Sequence, residues 1–267
     1  MDLSGKKALV TGACGGIGQA IVEALKAQRA TVAGTDRIAC AQSDISIVGD
    51  LTDPVFCDGL PQEAAQQLDG LDIVINNAGV IRRGPVTEAT DEDYAVSFAV
   101  NVEAPFRICR AAIPILADAG GGAIVNVASC WGVHPGPNHP IYCMSKAAVA
   151  SMTQCLGHDH AHQGIRINAV CPNEVDTPML RSGFESRGMD PDTAIASLNA
   201  SVPLGRIAQP QEIADSCIRK CAVHLRHPSG SQRRQSRSLG HGQSCTHHWR
   251  PKRNRSCLCP KTFRNRL

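Results

Sequence analysis

The chain has 267 residues, of which 43% are hydrophobic and 19% charged, and this composition suffices for one large domain with a substantial core. No run of about 18 or more apolar residues occurs, and the first residues lead directly into a strand-like segment, so we expect neither a membrane-spanning helix nor a signal peptide. We therefore expect a soluble, cytoplasmic protein with no membrane partner.

Charge is divided sharply along the chain. Residues 1–215 carry all 24 acidic residues and 14 Lys and Arg, a formal charge of −10, whereas residues 216–267 carry 13 Lys and Arg and no acid. This division predicts a folded domain over 1–215 and a basic, disordered tail over 216–267. The cysteines between positions 14 and 171 are scattered without paired spacing, which predicts free thiols in a reducing compartment and no disulfide framework.

Short apolar, β-rich runs alternate with longer segments of helical period from Lys6 to Cys171. This alternation predicts an α/β fold, a Rossmann-type doubly wound parallel sheet in a single domain. The predicted strands are Ala8–Thr11, Thr31–Thr35, Ser46–Asp50, Leu71–Asn76, Ala123–Ala128 and Ile165–Val170. The predicted helices are Gly16–Gln28, Pro54–Leu68, Asp91–Ala117 and Pro140–His162.

A glycine-rich turn, TGACGGIG at 11–18, joins the first strand to the first helix. Such a turn lets the backbone approach a pyrophosphate, and the helix N-terminus offers free N–H groups. Asp36 ends the second strand, where a carboxylate accepts hydrogen bonds from the adenosine ribose and repels a 2′-phosphate. The neighbouring Arg37 is suited to such a phosphate, but the glycine turn has no basic residue. The sequence therefore favours NAD over NADP.

Further cofactor contacts are predicted after the third and fourth strands. Asp50 and Leu51 are placed to contact the adenine, with a helix N-cap as the equal alternative for Asp50. Asn77 is predicted to line the cofactor cleft, since its neighbours Ala78 and Gly79 are small enough for a ligand to approach the carboxyl ends of the strands.

Tyr142 and Lys146 are four residues apart on a predicted helix, which places the phenol and the ammonium on one helical face. The ordinary pKa of a phenol is about 10, and a neighbouring cation favours its ionised form. The pair therefore predicts proton transfer closer to neutral pH. A surface ion-pairing role is the alternative, which the order and spacing of the surrounding motifs disfavour.

Together these motifs resemble the short-chain dehydrogenase/reductase family over residues 1–215. The resemblance is carried by TGACGGIG at 11–18, NNAG at 76–79, Asn101 in NVEAPF, Ser129 in IVNVAS and YCMSK at 142–146. It implies that Tyr142 exchanges the proton of a substrate hydroxyl while hydride passes between substrate and nicotinamide. Lys146 would lower the tyrosine pKa and hold the nicotinamide ribose. Ser129 would bind the substrate oxygen, and Asn101 would order a water.

The cofactor-binding set implied in this way is Gly12, Gly16, Ile17, Gly18, Asp36, Arg37, Asp50, Leu51, Asn77, Ala78, Gly79, Tyr142, Lys146 and Thr177. No metal site is predicted. The implied function is an NAD-dependent oxidoreductase that interconverts a secondary alcohol and a ketone. A cyclic diol or dihydrodiol is one candidate substrate, because the chain is similar to the compact dihydrodihydroxybenzoate dehydrogenases. The resemblance also implies a homo-oligomer, a dimer or a tetramer.

Several residues near the predicted site remain open. Two interpretations are open for Trp131, His134 and His139. They contact the substrate, or they only stabilise their loop or face solvent, and the second interpretation is favoured. Cys130 lacks a base that would make it a nucleophile. Asn173 replaces the glycine usual in the family, which leaves its turn undetermined. The segment from Thr177 to Val202 is predicted to be a mobile substrate lid.

The basic tail has three competing explanations. The spacing of Cys217, Cys221, His224 and His227 suggests a zinc module. The charge suggests a tail that binds nucleic acid, although nucleic acid is not a favoured partner. A shifted reading frame is the favoured explanation, and it implies that the last strand is missing and the oligomer weakened. The alternatives to an active enzyme are accordingly a catalytically weak, nucleotide-binding interaction protein and an inactive product of a frameshifted gene.

Overall fold

A computed structural model of the chain describes residues 2–222. It contains a sheet of six parallel strands in the order β3-β2-β1-β4-β5-β6. The strands are β1 (Lys7–Thr11), β2 (Thr31–Asp36), β3 (Ile45–Val48), β4 (Ile73–Asn76), β5 (Gly122–Val127) and β6 (Ile165–Val170). The helices are α1 (Gly16–Ala27), α2 (Pro54–Leu68), α3 (Asp91–Phe98), α4 (Ala104–Asp118), α5 (Pro140–His160), α6 (Pro178–Glu185), α7 (Pro191–Ser201) and α8 (Pro210–Ala222).

Helices cover both faces of the sheet, which confirms the predicted doubly wound architecture. Every residue of β4 and β5 is buried, as is typical of parallel strands with helices on both sides. One core lies between the sheet and the α1 and α8 helices, and it includes Val10, Ile21 and Ile75. The other lies beneath α2 and α4 and includes Leu60 and Leu116.

The strand order reverses beside β1, so β1 and β4 are neighbours although they are separated in the sequence. Leu9 of β1 pairs with Ala33 of β2 on one side and with Val74 of β4 on the other. A crevice forms at the carboxyl ends of the strands where the connections diverge from such a switch point. The glycine turn and Asn77 both follow strands that end there.

The helix predicted as Asp91–Ala117 is interrupted. A π-helical turn at Ala99–Glu103 separates α3 from α4, and Asn101 lies within it. Pro105, in the first turn of α4, has no N–H to continue the regular ladder of hydrogen bonds. Single π turns inside helices are common at functional sites. The predicted end of this helix is correct, because Gly120 and Gly121 have φ values of +86° and +123° and lead into β5.

The segment predicted to be a lid contains the helices α6 and α7. Although it has few bulky apolar residues, Phe184, Ile195 and Ile207 form a small core of their own. The sequence analysis missed these helices. Thr177 and Asp190 cap their N-termini, and each side chain accepts a hydrogen bond from a backbone N–H of the first turn, which is a signal readable in the sequence.

Helix α8 continues beyond Asp215, the predicted domain boundary, to Ala222. Cys217 and Cys221 on this helix are fully buried in the core next to α1. Burial raises the pKa of each thiol to about 12, so without a metal both cysteines are protonated side chains of the core. The rest of the predicted tail, including His224, His227 and the position of the missing strand, lies outside the described residues. None of the helices in residues 2–222 is long and apolar enough to cross a membrane.

Candidate active site

The glycine turn is packed so closely that two of its positions require glycine. Gly12 has a φ of +64°, and a Cβ built there would lie 2.8 Å from the Cα of Ala78. A Cβ at Gly18 would lie 1.9 Å from the carbonyl oxygen of Gly12. Side chains at these positions would force β1, α1 and the segment after β4 apart. The turn therefore keeps its backbone open to the crevice.

Asn77 and Thr11 hold this turn in place. The Asn77 side-chain amide donates to the carbonyl oxygens of Thr11 and Gly12 at 3.0 and 3.1 Å. The Thr11 hydroxyl oxygen accepts from the backbone N–H groups of Asn77 and Ala78, both at 3.1 Å. The Asn77 amide thus positions the turn. The hydroxyl of the buried Thr11, which the sequence analysis did not single out, also holds the turn in place.

The N-terminus of α1 faces the crevice without a competing cap. Its N-cap residue, Gly15, has no side chain to bind the first N–H groups, and the first turn has no acidic residue. These groups and the partial positive charge of the helix end are the features that bind a pyrophosphate. Thr177 lies opposite, since a Cβ built at Gly16 would lie 3.4 Å from its Cβ. Gly16, Ile17 and Gly18 therefore form the first turn of a helix whose N-terminus is open to the crevice.

Asp36 stands at the end of β2, beside the glycine turn. Its carboxylate accepts hydrogen bonds from the backbone N–H of Cys14 at 3.1 Å and from that of Arg37 at 2.8 Å. These bonds fix the carboxylate at the position expected to meet an adenosine ribose. The Arg37 side chain is exposed and makes no ion pair within residues 2–222.

Asp50 is not the N-cap of α2. Its carboxylate accepts from the backbone N–H and the hydroxyl of Thr52 at 2.8 and 2.9 Å, whereas Asp53 accepts from the N–H of Val55 and caps the helix. The hydrogen bond from the Thr52 backbone, assisted by the charge of Arg37, lowers the pKa of Asp50. The capping alternative is therefore wrong for Asp50. Leu51 is partly buried and packs against the core beneath α2.

A disulfide joins Cys14 of the glycine turn to Cys40, which follows β2. The expectation of no disulfide was wrong at this pair, because the carboxyl ends of adjacent parallel strands bring together residues that are 26 positions apart. The sulfurs and Asp36 form the one cluster of candidate metal ligands in residues 2–222, with ligand atoms within 4.8 Å of one another. The disulfide occupies both sulfurs, so this cluster offers no thiolate to a metal.

We expect the oxidised protein to be more stable than the reduced one by about 3 kcal/mol, the effect of closing a loop of this length in the unfolded chain. Non-reducing peptide mapping should join the peptides that contain Cys14 and Cys40, and urea denaturation with and without reductant should show the difference. Cys40→Ser should abolish both effects, whereas Cys155→Ser, at an exposed free cysteine, should change neither. Unlinked peptides in the oxidised protein would contradict the expectation.

Four elements converge on Lys146 at the other end of the crevice. Its ammonium donates to the carbonyl oxygen of Val127, at the end of β5, at 2.8 Å and lies 5.9 Å from the centroid of the Tyr142 ring. A Cβ built at Gly79 would lie 3.2 Å from this ammonium and 3.3 Å from the side-chain oxygen of Asn101. The residues predicted from the separate motifs are therefore assembled at one place.

Asn101 connects the π turn to this assembly. Its side chain accepts from the N–H of Val80 at 2.8 Å and donates to the carbonyl of Val80 at 2.9 Å. It also donates to the hydroxyl of Ser145 at 3.0 Å, and this hydroxyl donates to the carbonyl oxygen of Tyr142. Asn101 therefore fixes the backbone after β4 against the helix that carries Tyr142 and Lys146.

The pKa of Tyr142 is raised above its ordinary value, contrary to the expectation that Lys146 lowers it. Burial of the phenol is the largest cause, and the nearby Glu174 adds to it, whereas the Ser129 hydroxyl acts in the opposite direction. Burial also lowers the pKa of Lys146 to about 8. The expectation neglected desolvation, which disfavours the charged form of both groups.

Ser129 ends the segment after β5, and its hydroxyl oxygen also accepts from the N–H of Trp131 at 3.2 Å. The Cys130 thiol donates to the side-chain oxygen of Asn173 at 2.9 Å, and burial raises its pKa, so it is not an activated nucleophile. Asn173 does not adopt a positive φ, which explains why this turn accepts a residue other than glycine. Trp131 packs edge to face on His139 with ring centroids 4.4 Å apart.

A buried polar chain behind the site was not predicted. The Asn76 amide donates to the side-chain oxygen of Asn126 at 2.8 Å, and the Asn126 amide donates to the hydroxyl of Thr153 at 2.9 Å. These bonds connect β4 and β5 with α5, the helix that carries Tyr142 and Lys146. Nothing in the local sequence pairs these residues, because the bonds depend on the strand register.

The comparisons with known proteins agree with this geometry. The family model for short chain dehydrogenase matches residues 6–188. L-xylulose reductase of Bos taurus is 36% identical over 226 residues, which cover 82% of this chain and 89% of that protein. The 2-keto-3-deoxy-L-fuconate dehydrogenase of Xanthomonas campestris pv. campestris is 31% identical over 221 residues, which cover 81% and 74%.

Among solved structures, that of NAD+-bound xylitol dehydrogenase matches with a TM-score of 0.77 and 26% identity, and the match covers 83% of this chain and 94% of that chain. The family model thus matches most of the described residues. This match agrees with the strand order, the glycine turn and the Tyr142–Lys146 pair. This chain belongs to the short chain dehydrogenase family.

Proposed function

We propose that the protein is an NAD-dependent dehydrogenase that interconverts a secondary alcohol of a polyhydroxy, sugar-like compound and the corresponding ketone. The observation that carries the proposal is the convergence of Tyr142, Lys146 and Asn101 at one end of a crevice whose other end holds Asp36. Relatives named as reductases and dehydrogenases of sugars and polyols support this substrate class.

The chain's own residues account for the proton chemistry. In alcohol oxidation, the Tyr142 phenolate oxygen accepts the hydroxyl proton of the substrate, and in ketone reduction the phenol returns it. The Ser129 hydroxyl, which faces the phenol, donates to the substrate oxygen and stabilises the charge that develops there. The bound nicotinamide supplies the acceptor or donor of hydride.

The residues that surround the crevice fit a dinucleotide. The N-terminus of α1 at Gly16–Gly18 would bind the pyrophosphate, and Thr177 lies next to it. Asp36 would accept from the adenosine ribose, and Asp50 and Leu51 lie towards the adenine. Lys146, next to Gly79, would donate to the nicotinamide ribose.

Replacing Asp36 by Ala tests the cofactor assignment. We expect kcat/KM for NAD to fall about tenfold to 100-fold, because two charge-assisted hydrogen bonds are lost, while NADP becomes usable beside the unpaired Arg37. Initial rates with each cofactor measure the change. Arg37→Ala is the matched control and should leave the rate with NAD unchanged. A wild-type preference for NADP would contradict the assignment.

The substrate class is tested with a panel of polyols, sugars, cyclic diols and simple secondary alcohols. NADH formation by the purified wild-type protein is measured at 340 nm, a general property of the reduced cofactor, and compared with that of Tyr142→Phe. Polyhydroxy substrates should give the highest kcat/KM. Preference for an unsubstituted secondary alcohol would contradict the sugar-like class while leaving the enzyme assignment intact.

We also propose a homo-oligomer in which α3, α4 and α5 form the interface. Tyr94, Phe106 and Met144 on these helices are exposed apolar side chains with 49%, 47% and 47% of their surface accessible. Burial of such side chains between protomers is favourable. Light scattering on the wild type and on Phe106→Glu would test it, because the charged residue should shift the protein towards the monomer.

A further inference from the structure

Arg83 lies on the substrate side of the site and has no role in the chemistry described so far. Its segment is fixed at both ends, since Asn101 binds both backbone groups of Val80 and the N–H of Gly84 donates to the carbonyl of Asn138 at 2.8 Å. Asn138 belongs to the loop that leads into α5 and Tyr142. The segment that carries Arg83 therefore runs from the π turn to the border of the predicted substrate position.

Arg83 forms no ion pair among the described residues. The adjacent Arg82 pairs with Asp93 at 2.9 Å, but the Arg83 guanidinium makes no ion pair and no hydrogen bond within residues 2–222. It lies instead against the backbone of α6. A Cβ built at Gly183 would lie 2.5 Å from its Nη2 and 2.6 Å from its Cζ. The glycine thus leaves room for the guanidinium.

A second arginine reaches the same glycine. Arg187 donates from its Nε to the carbonyl oxygen of Gly183 at 2.8 Å, and its Cζ lies 4.9 Å from the ring centroid of Phe184. Within the described part of the chain it has no carboxylate partner. Arg181 of the same helix differs, because Asp176 and Asp192 pair with it, both at 2.8 Å. Two cations that form no ion pair among the described residues therefore both contact Gly183.

These cations act on the groups around the substrate position. Burial lowers the pKa of Arg83, and repulsion by Arg187 lowers it further. Both arginines counteract the effect of burial on Glu174, whose pKa is raised, and Glu174 in turn raises the pKa of Tyr142. Glu174 forms no ion pair with either arginine among the described residues. The Glu174 carboxylate is therefore near enough to both guanidinium groups and to the Tyr142 phenol for their charges to interact.

Two neighbouring positive charges in a partly buried site repel each other, and an anion bound between them reduces this repulsion. Guanidinium groups bind carboxylates in planar, paired geometry. We infer that Arg83 and Arg187 bind a carboxylate of the substrate, so the alcohol that is oxidised is a polyhydroxy acid. This inference rests on the proposed function and adds the anionic group to its substrate class. Glu174 would then accept a hydrogen bond from a hydroxyl of the same molecule.

The test compares sugar acids with polyols and polyol phosphates of the same carbon number, using the wild type, Arg83→Gln, Arg187→Gln and the control Arg82→Gln. We expect KM for the sugar acids to rise about tenfold or more in the first two variants, with kcat within about threefold, because binding through charged hydrogen bonds is lost. KM for the polyols should not change. Arg82→Gln should resemble the wild type. Raising the salt concentration should increase the wild-type KM for acids alone.

Three outcomes would overturn the inference: equal effects of Arg82→Gln and Arg83→Gln, a wild-type preference for polyols, or a preference for polyol phosphates over acids. Thermal unfolding controls for folding. Arg83→Gln should unfold at the wild-type temperature, because Arg83 forms no ion pair or hydrogen bond among the described residues. Arg187→Gln loses the bond to Gly183, so its kinetics are measured at a temperature where it is fully folded. If the wild type oxidises polyols in a Tyr142-dependent manner and the arginine variants change nothing, only this inference fails. If no alcohol is oxidised, the proposed function fails.

Discussion

Replacing Tyr142 by Phe is expected to lower kcat for alcohol oxidation about 10³-fold, a typical contribution of one positioned acid–base group. The substitution removes a single oxygen from a ring that is held by burial, and Lys146 and Ser129 keep their own backbone bonds. Binding of NAD should change little, and calorimetry measures it directly. Activity of the wild type should rise with pH from 7 to about 10, because the raised pKa of the phenol leaves the phenolate scarce at neutrality.

Tyr94→Phe is the matched control. Tyr94, the other of the two tyrosines, stacks on Phe98 with ring centroids 4.4 Å apart and lies on the exposed side of α3. The same oxygen is removed, so activity should remain at the wild-type level. Equal rates for Tyr142→Phe and the wild type would exclude the proposed mechanism.

Replacing Lys146 by Met is expected to remove most of the activity and yet stabilise the fold. Burial lowers the pKa of this lysine from 10.5 to about 8, so the folded protein disfavours its ammonium. The shift corresponds to about 3 kcal/mol in the free energy of unfolding, from which the lost bond to Val127 subtracts about 1 kcal/mol. A catalytic residue that destabilises its own fold is a common compromise between activity and stability.

The stabilisation of the fold by Lys146→Met should decrease as pH rises. Below pH 8 both the folded and the unfolded protein carry the ammonium, so the full penalty of burial applies. Between pH 8 and 10.5 only the unfolded protein still binds the proton, and the penalty fades as pH rises. Urea denaturation at pH 7 should therefore show a larger difference between Lys146→Met and the wild type than at pH 10.

Lys26→Met provides the comparison, since Lys26 lies at the surface and pairs with Asp44. Its unfolding free energy should stay within about 0.5 kcal/mol of the wild type, as is usual for surface positions. A Lys146→Met protein that is less stable than the wild type at pH 7 would show that the bond to Val127 outweighs the cost of burial.

The periodic part of the fold could be predicted from sequence because it depends on local patterns. Alternating apolar runs and helical periods gave the six strands, and Ile165–Val170 agrees at both ends. The interruption of the helix around Asn101 was not predicted, although Pro105, which lacks the N–H for a regular helix, is a signal in the sequence. The contact of Asn101 with Val80 across the crevice could not be read from the sequence. Helix α8 was truncated in the prediction because its buried Cys217 and Cys221 were counted with a basic, polar segment.

For the candidate site, the proximity of the residues could be predicted in part, and their electrostatics could not. The four-residue spacing placed Tyr142 and Lys146 on one helical face, whereas Ser129 and Asn101 were implied by the family resemblance. The pKa directions depend on burial, which the spacing does not contain. The same holds for the disulfide, which depends on the lateral pairing of β1 with β2.

The buried chain of Asn76, Asn126 and Thr153 has an evolutionary consequence. Asn126 is fully buried and bonds to both neighbours. A change at this position alone would remove one hydrogen bond from the Asn76 amide, which would keep only its contact with the Cys109 sulfur, and one from the Thr153 hydroxyl, which would keep its bond to the Val149 carbonyl. The loss of these buried hydrogen bonds costs about 1–3 kcal/mol, enough to be removed by selection in a marginally stable protein. Substitutions at Asn76, Asn126 and Thr153 should therefore occur together in evolution, so that related proteins keep all three residues or replace all three.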